Sequence, residues 1–400
     1  MEAARLRISE RLRALMRYGK FSGEVPRILL FRSQYWVDGA CEAAAKSMGW
    51  QVSSVLTPME GAQTREQTAA LLETLVHFRP DFIFSVNLAG MDVDGVWARF
   101  FDDLGVPHIT WFVDNPRTII MDKERYATPT TMVLTWEEGY EPYLRNIGFR
   151  HVYYLPLAAD TAHFNAPPGS GWSHGPCFVG NSMTLFARRS METVLQDEVL
   201  RSIAERAFAA GRVTRANLGI GLSAIVNPDE LAILDSEQRR RLEMLFFLEG
   251  TRRLRSDMAT GLASLVAVRG DEEWRDIAPS AGPPVNYFEE LPSFYRECEI
   301  NLNVTSIQMA SAVNQRVFDC PAAGGFLITD NQSDMQRHFD ADECVVYSSW
   351  EECAEKVRFY KAHPEARIDV INKARARILS GHTYAHRLRS IVGWAMQHFG

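Results

Sequence analysis

The stretch Asn314-Gln-Arg-Val-Phe-Asp-Cys-Pro-Ala-Ala-Gly-Gly-Phe-Leu-Ile-Thr-Asp330 has the pattern of a loop, a helix, a tight turn and a buried strand. The pattern predicts a helix over residues 313–323 and a strand over 326–329, joined by the Gly-Gly pair. The apolar run 300–304 precedes this stretch and predicts another strand. A strand, a helix and a second strand in this order indicate a βαβ unit, and therefore a parallel sheet.

The same alternation extends in both directions along the chain. In the first half, the predicted elements are the strands 27–31, 51–56, 81–86, 108–113, 131–135 and 152–155 and the helices 37–48, 65–78, 93–104 and 138–147. In the second half, the further predicted elements are the strands 177–179, 265–268 and 345–347 and the helices 291–296, 350–362, 364–379 and 382–399. This alternation is typical of α/β proteins.

Two breaks in the alternation suggest how the chain is divided. Residues 165–176 are rich in Pro and Gly, which predicts a linker, and the charged, helix-rich stretch at about 185–260 predicts a helical insertion. We therefore expect an α/β fold with two Rossmann-like domains, residues 1–165 and residues 176–380, the insertion lying in the second. A last helix within 381–400 could pack back on the first domain.

The composition argues against several functions. A formal net charge of -7 gives no global basic field for binding nucleic acid. The six cysteines form no CxxC pair and lack zinc-ligand spacing, so we expect buried thiols in a reducing cytoplasm. No apolar run approaches the roughly 18 residues of a transmembrane helix. The basic, partly amphipathic segment 5–20 favours a surface helix packed on its domain, with a weak peripheral membrane contact as the alternative.

The segment that begins at Asn314 carries residues suited to a nucleotide. The first amides of a helix are ready ligands for an anion, and Arg316 adds a fixed positive charge that suits phosphate. Asp319 lies one turn further along, where a carboxylate can accept hydrogen bonds from ribose hydroxyls. The alternative is a surface helix on which Arg316 and Asp319 form an ion pair at i, i+3.

Taken in order, these motifs resemble the signature of the CgeB-like family of GT-B glycosyltransferases, and the resemblance covers nearly the whole chain. It is carried by Pro107–Pro116, Phe178–Asn181, Tyr287–Pro292, Ile300–Asn303, the stretch 314–330, Phe339, Glu343, and the set His382, Thr383, Tyr384 and Arg387. The order and spacing of these segments carry more weight than any one of them alone.

The resemblance implies a GT-B fold, in which two Rossmann-like domains face a cleft, and a nucleotide-sugar donor held by the C-terminal domain. The donor-binding residues that it implies are Gly180, Asn181, Arg188, Tyr287, Asn303, Asn314, Gln315, Arg316 and Asp319. In related retaining enzymes two Glu residues lie eight positions apart in this region, and the second binds ribose. Asp319 holds the second position here and Ser311 the first, so the sugar contact and the stereochemistry stay open.

Residues after two strands of the first half are candidates for the chemistry and the acceptor. Asp114 ends the predicted strand 108–113, where a carboxylate could take a proton from an acceptor hydroxyl, and Asn115 follows it. The alternative for Asp114 is an Asx turn. Tyr35 and Trp36 follow the first strand and could stack on a sugar or peptide, or form a partly buried aromatic pair.

The pair Asp92 and Asp94 forms an Asp-x-Asp motif, which in GT-A glycosyltransferases holds a divalent metal on the donor diphosphate. The interpretation that we favour is capping at the start of a helix, where acidic residues are common. We therefore expect no metal and no cofactor, with the nucleotide-sugar as substrate.

The function expected from the sequence is metal-independent transfer of a sugar to a bacterial surface protein or glycan. The alternatives are a nucleotide-sugar epimerase of the same fold and a non-catalytic module that binds a nucleotide-sugar or a partner protein.

Overall fold

The computed structural model describes residues 6–33, 35–57, 65–121, 124–169 and 171–400. The chain divides into two compact units. The N-terminal unit contains the residues up to Pro156 together with Tyr384–Gly400, and the C-terminal unit contains Leu157–Thr383. The division falls ahead of the Pro- and Gly-rich stretch 165–176, and the final helix belongs to the N-terminal unit.

The N-terminal unit is built on a parallel sheet. Its strands are β1 (Arg27–Arg32), β2 (Gln51–Leu56), β3 (Phe82–Val86), β4 (His108–Phe112), β5 (Thr131–Thr135) and β6 (His151–Tyr154). Among the described residues, the strand order is β2-β1-β3-β4-β5-β6, and every pairing is parallel. Strands β3, β4 and β5 are buried along their whole length, as expected of central parallel strands covered on both faces.

Helices cover both faces of this sheet. They are α1 (Glu10–Met16), α2 (Trp36–Ser47), α3 (Arg65–Phe78), α4 (Val96–Asp103), α5 (Pro116–Ile120), α6 (Glu141–Ile147) and, at the end of the chain, α17 (Tyr384–Phe399), with 3-10 turns at Glu124–Tyr126 and Glu138–Tyr140. Met16 of α1 is buried in the core, and Ile8 and Leu12 pack against it. The apolar side of the N-terminal segment therefore contacts its own domain, as in the interpretation that the sequence favoured.

The C-terminal unit contains a second parallel sheet. Its strands are β7 (Cys177–Val179), β8 (Ala267–Arg269), β9 (Asn301–Leu302), β10 (Leu327–Asp330) and β11 (Val345–Tyr347). Within the described part of the chain, their order is β11-β10-β9-β7-β8. Strands β7 and β9 are neighbours although β8 lies between them in sequence, so the order of the strands reverses at this point. In open α/β sheets, ligands bind beyond the carboxyl ends of the strands at such a reversal.

The helices of the C-terminal unit include a separate helical insertion between β7 and β8. The insertion consists of α7 (Thr184–Leu195), α8 (Glu198–Ala209), α9 (Arg215–Ile220), α10 (Pro228–Ile233) and α11 (Ser236–Gly261), with a 3-10 turn at Leu222–Ala224. The remaining helices are α12 (Leu291–Glu297), α13 (Arg316–Ala322), α14 (Met335–His338), α15 (Trp350–Ala362) and α16 (Pro364–Gly381), with a 3-10 turn at Glu272–Asp276. The insertion has its own apolar core, which includes Leu200, Leu242 and Phe246.

Several predicted elements are shorter than the sequence suggested, and three of them lie near candidate site residues. Helix α4 begins at Val96 rather than residue 93, because the Asp92 carboxylate accepts the amides of Val96 (2.9 Å) and Trp97 (2.7 Å) and fixes the helix start. Strand β9 ends at Leu302 rather than residue 304, and helix α13 begins at Arg316 rather than residue 313. The short helix α5 was not predicted.

Candidate functional site

Arg316 lies at the carboxyl ends of β7 and β9, where the order of the strands in the C-terminal sheet reverses. Its Nη1 donates to the carbonyl of Leu302 (3.3 Å) and to Oδ1 of Asn303 (3.2 Å), and its Nη2 donates to the carbonyl of Val179. Its Nε donates to the Tyr295 hydroxyl (3.3 Å). The guanidinium thus bridges the ends of β7 and β9. A phosphate placed here would share donors that already hold the strand ends, so the predicted phosphate contact of Arg316 stays a prediction.

Two asparagines extend this network. Asn314 Nδ2 donates to Asn303 Oδ1 (2.8 Å), and Asn303 Nδ2 donates to the Thr329 hydroxyl (2.9 Å). Asn303 is fully buried, and Asn314 is half-buried. The predicted residues Asn303, Asn314 and Arg316 therefore do come together at the carboxyl edge of the sheet.

A second guanidinium, missed by the sequence analysis, lies at the same edge. Arg255 of α11 donates to the carbonyl of Asn181, and its Cζ lies 5.7 Å from the centre of the Phe178 ring. The Cζ of Arg316 lies 5.2 Å from the centre of the same ring. Burial lowers the pKa of Arg255 to about 10, and the charge of Arg316 acts in the same direction. The two guanidinium groups repel each other, and a nearby anion would offset this repulsion, so this edge favours anion binding.

One sequence signal could have singled out Arg255. Its neighbours Arg252 and Arg253 lie three and four residues after Glu249 and pair with it at 2.7 Å. The residues four and three positions before Arg255 are Thr251 and Arg252, so Arg255 has no acidic partner at the spacing that its neighbours use.

The loop that joins β7 to α7 completes this edge. Gly180 accepts a hydrogen bond from the Trp274 indole (2.7 Å), and a Cβ on Gly180 would lie 3.0 Å from the Phe178 ring. Asn181 Oδ1 accepts the amide of Met183, which has a left-handed φ of 69°. The carboxylate of Asp271 accepts the amide of Ser182. The loop is therefore held in one strained conformation at the start of a twelve-residue helix.

Several polar atoms around this edge are buried without a hydrogen-bond partner among the described residues: Thr184 Oγ1, Arg255 Nε, Asp271 Oδ1 and Asn314 Oδ1. Buried polar atoms are nearly always paired in folded proteins, because leaving one unpaired costs about 1–3 kcal/mol. The set combines one donor, two acceptors and a hydroxyl that can do either. Arg255 Nε and the Thr184 hydroxyl can donate to an anion, whereas the oxygens of Asp271 and Asn314 need a donor such as a ligand hydroxyl.

Asp319 lies in α13 and is 1% exposed. Its Oδ1 accepts the amide of Asp160 (3.0 Å) and Nε2 of Gln315 (2.8 Å), and its Oδ2 accepts the Tyr287 hydroxyl (2.6 Å). Burial raises the pKa of Asp319 to about 7, against the opposing effect of these hydrogen bonds. The alternative of a surface ion pair between Arg316 and Asp319 is wrong, because this carboxylate is buried. Its predicted contact with ribose stays a prediction.

The start of α13 offers less to an anion than the sequence suggested. The amides of Val317, Phe318 and Asp319 donate to the carbonyls of Asn314 and Gln315 within the first turn. Elsewhere, Arg188 lies on an exposed position of α7. Ser311 uses its carbonyl to accept the amide of Asp334 (3.1 Å). The cationic part of the edge is therefore made by Arg255 and Arg316 rather than by the amides of α13.

In the N-terminal unit, Asp114 follows β4 at the carboxyl edge of the sheet. Its Oδ2 accepts Nδ2 of Asn87 (2.8 Å), and burial raises its pKa. A carboxyl group with a raised pKa and one hydrogen bond is a suitable acceptor for a proton at neutral pH. Asn115 caps α5, since its Oδ1 accepts the amide of Arg117 (3.0 Å). The Asx-type bond therefore belongs to Asn115, and Asp114 is left to other partners.

The other predicted residues of this unit make contacts within it, and the acceptor-side role of Tyr35 and Trp36 stays a prediction. Trp36 begins α2, and its ring meets that of Tyr384 edge-on at 6.2 Å. The amide of Tyr35 donates to the Ser33 hydroxyl (3.2 Å). Asp92 accepts three amides at the start of α4, and Asp94 pairs with Arg125 (2.7 Å). The bonds of Asp92 match the capping interpretation of the Asp-x-Asp motif.

Two further observations bear on metals and membranes. The described ranges contain no group of three or more His, Cys, Asp or Glu residues placed to hold a metal ion. In the same ranges, no helix is both long enough and apolar enough to cross a membrane.

Comparison with known protein families gives one match, in the C-terminal part of the chain. Residues 240–393 match a family described as glycosyl transferase-like. This segment contains Arg255, Asn303, Asn314, Arg316 and Asp319. A search of characterised proteins finds no significant sequence match. The similarity to this family therefore covers residues 240–393.

Several solved structures resemble the whole chain. HepE from Anabaena, in complex with UDP and glucose, aligns with a TM-score of 0.50 and 9% identity, over 92% of this chain and 98% of that one. A glycosyltransferase from Rickettsia africae aligns with a TM-score of 0.47 and 10% identity, over 94% of this chain and 99% of that one. T4 phage BGT in complex with UDP-glucose aligns with a TM-score of 0.48 and 8% identity, over 93% of this chain and 98% of that one. The predicted fold class is confirmed: the chain has the two Rossmann-like sheets of GT-B glycosyltransferases.

Proposed function

We propose that the chain transfers a sugar from a nucleotide-sugar, with a UDP-sugar as the first donor to test, to a hydroxyl of a bacterial surface protein or glycan. The observation that carries the proposal is the pair of guanidinium groups on Phe178. Arg255 and Arg316 lie at the carboxyl edge of the C-terminal sheet, within the segment that matches the glycosyltransferase family. The UDP and glucose held by HepE, which has a similar fold, support the choice of donor.

The donor diphosphate is assigned to the edge formed by Arg255, Asn314 and the Gly180 loop. When the bond between the sugar and the diphosphate breaks, the leaving oxygen gains negative charge. A preorganised guanidinium stabilises that charge without reorganising solvent. Arg255 is the better candidate for direct contact, because its Nε is buried and unbonded, whereas all the nitrogens of Arg316 already donate. We propose on this basis that transfer needs no metal.

The acceptor hydroxyl is assigned to Asp114 as its general base. The carboxylate takes the hydroxyl proton, the acceptor oxygen attacks the anomeric carbon, and the nucleoside diphosphate leaves with the bonding electrons. General-base catalysis contributes about 10²- to 10⁴-fold to a rate. Asp319 is assigned to the ribose, which requires Tyr287 to release the Oδ2 that it now contacts at 2.6 Å.

The experiment incubates the protein with a panel of nucleotide-sugars, with and without EDTA, and follows release of the free nucleotide and the fate of the sugar. Release that EDTA does not change supports metal-independent transfer or donor hydrolysis. An epimerised donor without free nucleotide would indicate the epimerase, and thermal stabilisation without turnover would indicate a binding module. If no nucleotide-sugar binds, the proposal is wrong.

The placement of the diphosphate is tested by Arg255→Ala. We expect it to weaken UDP binding about 10- to 100-fold, as for the loss of a hydrogen bond to a charged group. The matched control is Arg201→Ala, which removes a guanidinium that is 45% exposed on α8 and should leave binding unchanged. Equal affinity of both variants for UDP would place the diphosphate elsewhere.

A further inference from the structure

The turn after β3 holds an unusual backbone. Asn87 and Leu88 have left-handed φ angles of 52° and 58°, and Gly90 follows at 80°. Asparagine tolerates this region, but leucine rarely adopts it, because its Cβ crowds the backbone. A residue such as Leu88 keeps this conformation only where its surroundings fix it. The Leu88 amide donates to the Thr110 hydroxyl (3.0 Å), which ties the turn to β4.

The side chain that this turn presents is the amide of Asn87, which is 7% exposed. Its Oδ1 accepts the amides of Val113 (2.9 Å) and Asp114 (3.3 Å). Its Nδ2 donates to the Asp114 carboxylate (2.8 Å). The two backbone amides can only donate, so they fix the amide oxygen toward the chain and the NH₂ group toward the carboxylate. One side chain therefore holds both the backbone and the carboxylate of Asp114.

We infer that Asn87 is the positioning residue of the general base, and that its side-chain amide aims Asp114 and keeps it ionised. The inference rests on the proposed role of Asp114. A donor that bonds to a carboxylate favours its charged form, which is the form that can accept a proton. Burial raises the pKa of Asp114, and the hydrogen bond from Asn87 acts in the opposite direction.

The test uses two substitutions that suit a left-handed backbone. Asn87→Gly keeps the conformation and removes the amide. With transfer assayed as nucleotide release, we expect kcat to fall about 10-fold while the donor KM stays within about twofold, since the donor is bound elsewhere. We also expect the acidic limb of the kcat/KM profile to move up by about one pH unit, because the pKa of Asp114 rises.

Asn87→Asp serves as the second variant, because it has nearly the same shape and also tolerates a left-handed φ. It places a second carboxyl beside Asp114, so one proton is shared and the acidic limb moves further up. If Asn87→Gly fails to fold, this variant decides the question alone. The control is Leu88→Gly, which relaxes the same turn but leaves the amide of Asn87; its pH profile should match that of the parent protein.

The outcomes separate the two proposals. If Asp114→Asn keeps full activity, the assignment of the base fails and the inference fails with it. If Asp114→Asn abolishes transfer but both Asn87 variants keep the parent kcat and pH profile, the base stands and the positioning role is wrong. A shifted profile in Leu88→Gly would also overturn the inference, since the profile would then report the turn rather than the amide.

Discussion

Replacing Asp319 by Asn should make the protein less sensitive to alkaline pH. The carboxyl group is 1% exposed and has a pKa of about 7, raised by burial from an ordinary value of 3.8. A group whose pKa rises on folding binds a proton more tightly in the folded state. Between pH 3.8 and pH 7 the folded protein therefore holds more protons than the unfolded chain, and the free energy of unfolding falls as the pH rises.

The magnitude follows from the difference between the folded and unfolded pKa values. A tenfold change in proton affinity corresponds to about 1.4 kcal/mol, so a pKa raised from 3.8 to about 7 amounts to ~4 kcal/mol between pH 4 and pH 8. Asn has no such titration. Its Oδ1 can accept the two donors of Asp319 Oδ1, and its Nδ2 can donate to the Tyr287 hydroxyl in place of the bond now accepted. We expect the variant to be about as stable as the parent at pH 5 and more stable at pH 8.

The assay is hydrogen exchange of the segment 316–330, measured at pH 5 and pH 8 after correction for intrinsic exchange rates. It reports local stability in a chain of two units, where one melting temperature is ambiguous. The difference in local stability between variant and parent isolates the effect of Asp319, because the other titrating groups contribute equally to both proteins. The control is Asp276→Asn, which removes a carboxyl group from an exposed position of the C-terminal unit and should leave the exchange of this segment as in the parent. A difference for Asp319→Asn that is the same at both pH values would refute the reasoning.

Three further predictions concern backbone and capping. Gly270→Ala should lower the melting temperature and weaken UDP binding, because the new Cβ would lie 2.1 Å from the Gly180 carbonyl; binding equal to that of the parent would contradict the role of this loop. Asp92→Ala should cost about 1–2 kcal/mol of stability through loss of the cap, measured by denaturation, without changing the response of nucleotide release to EDTA. Gly393→Ala should stabilise the protein by about 1 kcal/mol, because a Cβ there meets nothing within 4 Å on an exposed face of α17; a lower melting temperature would contradict this.

Much of the fold could be predicted from local pattern. The strands Gln51–Leu56, Thr131–Thr135 and Val345–Tyr347 have their predicted bounds. Element ends fixed by distant side chains could not be found in this way. Strand β9 ends early because side chains take the place of strand partners. The Leu302 carbonyl accepts a hydrogen bond from Arg316, and the Thr305 amide donates to Asp330 Oδ1 (2.9 Å). Strand order is likewise a long-range property.

The candidate site was predicted in part. Motif spacing correctly brought Asn303, Asn314 and Arg316 together, because they lie on one strand end and the helix that follows it. Arg255 was missed because it comes from a charged helix about 60 residues away in sequence, where only the fold decides which arginine faces the sheet. Asn87 was missed for a similar reason: its role depends on a backbone angle and on a neighbouring strand. The roles of the residues named as donor ligands stay predictions.

The long helix α11 limits how this protein can be shortened. Its 26 residues span about 39 Å, with Leu242 and Phe246 in the core of the insertion and Met258 in the core beneath the sheet. Leu254 packs against both cores, directly beside Arg255. Deleting the insertion would therefore require cutting the continuous helix α11 near Leu254, where it contacts both cores. A deletion that includes Leu254 also removes Arg255 and the helix that positions it. The insertion therefore cannot be replaced without rebuilding the candidate site.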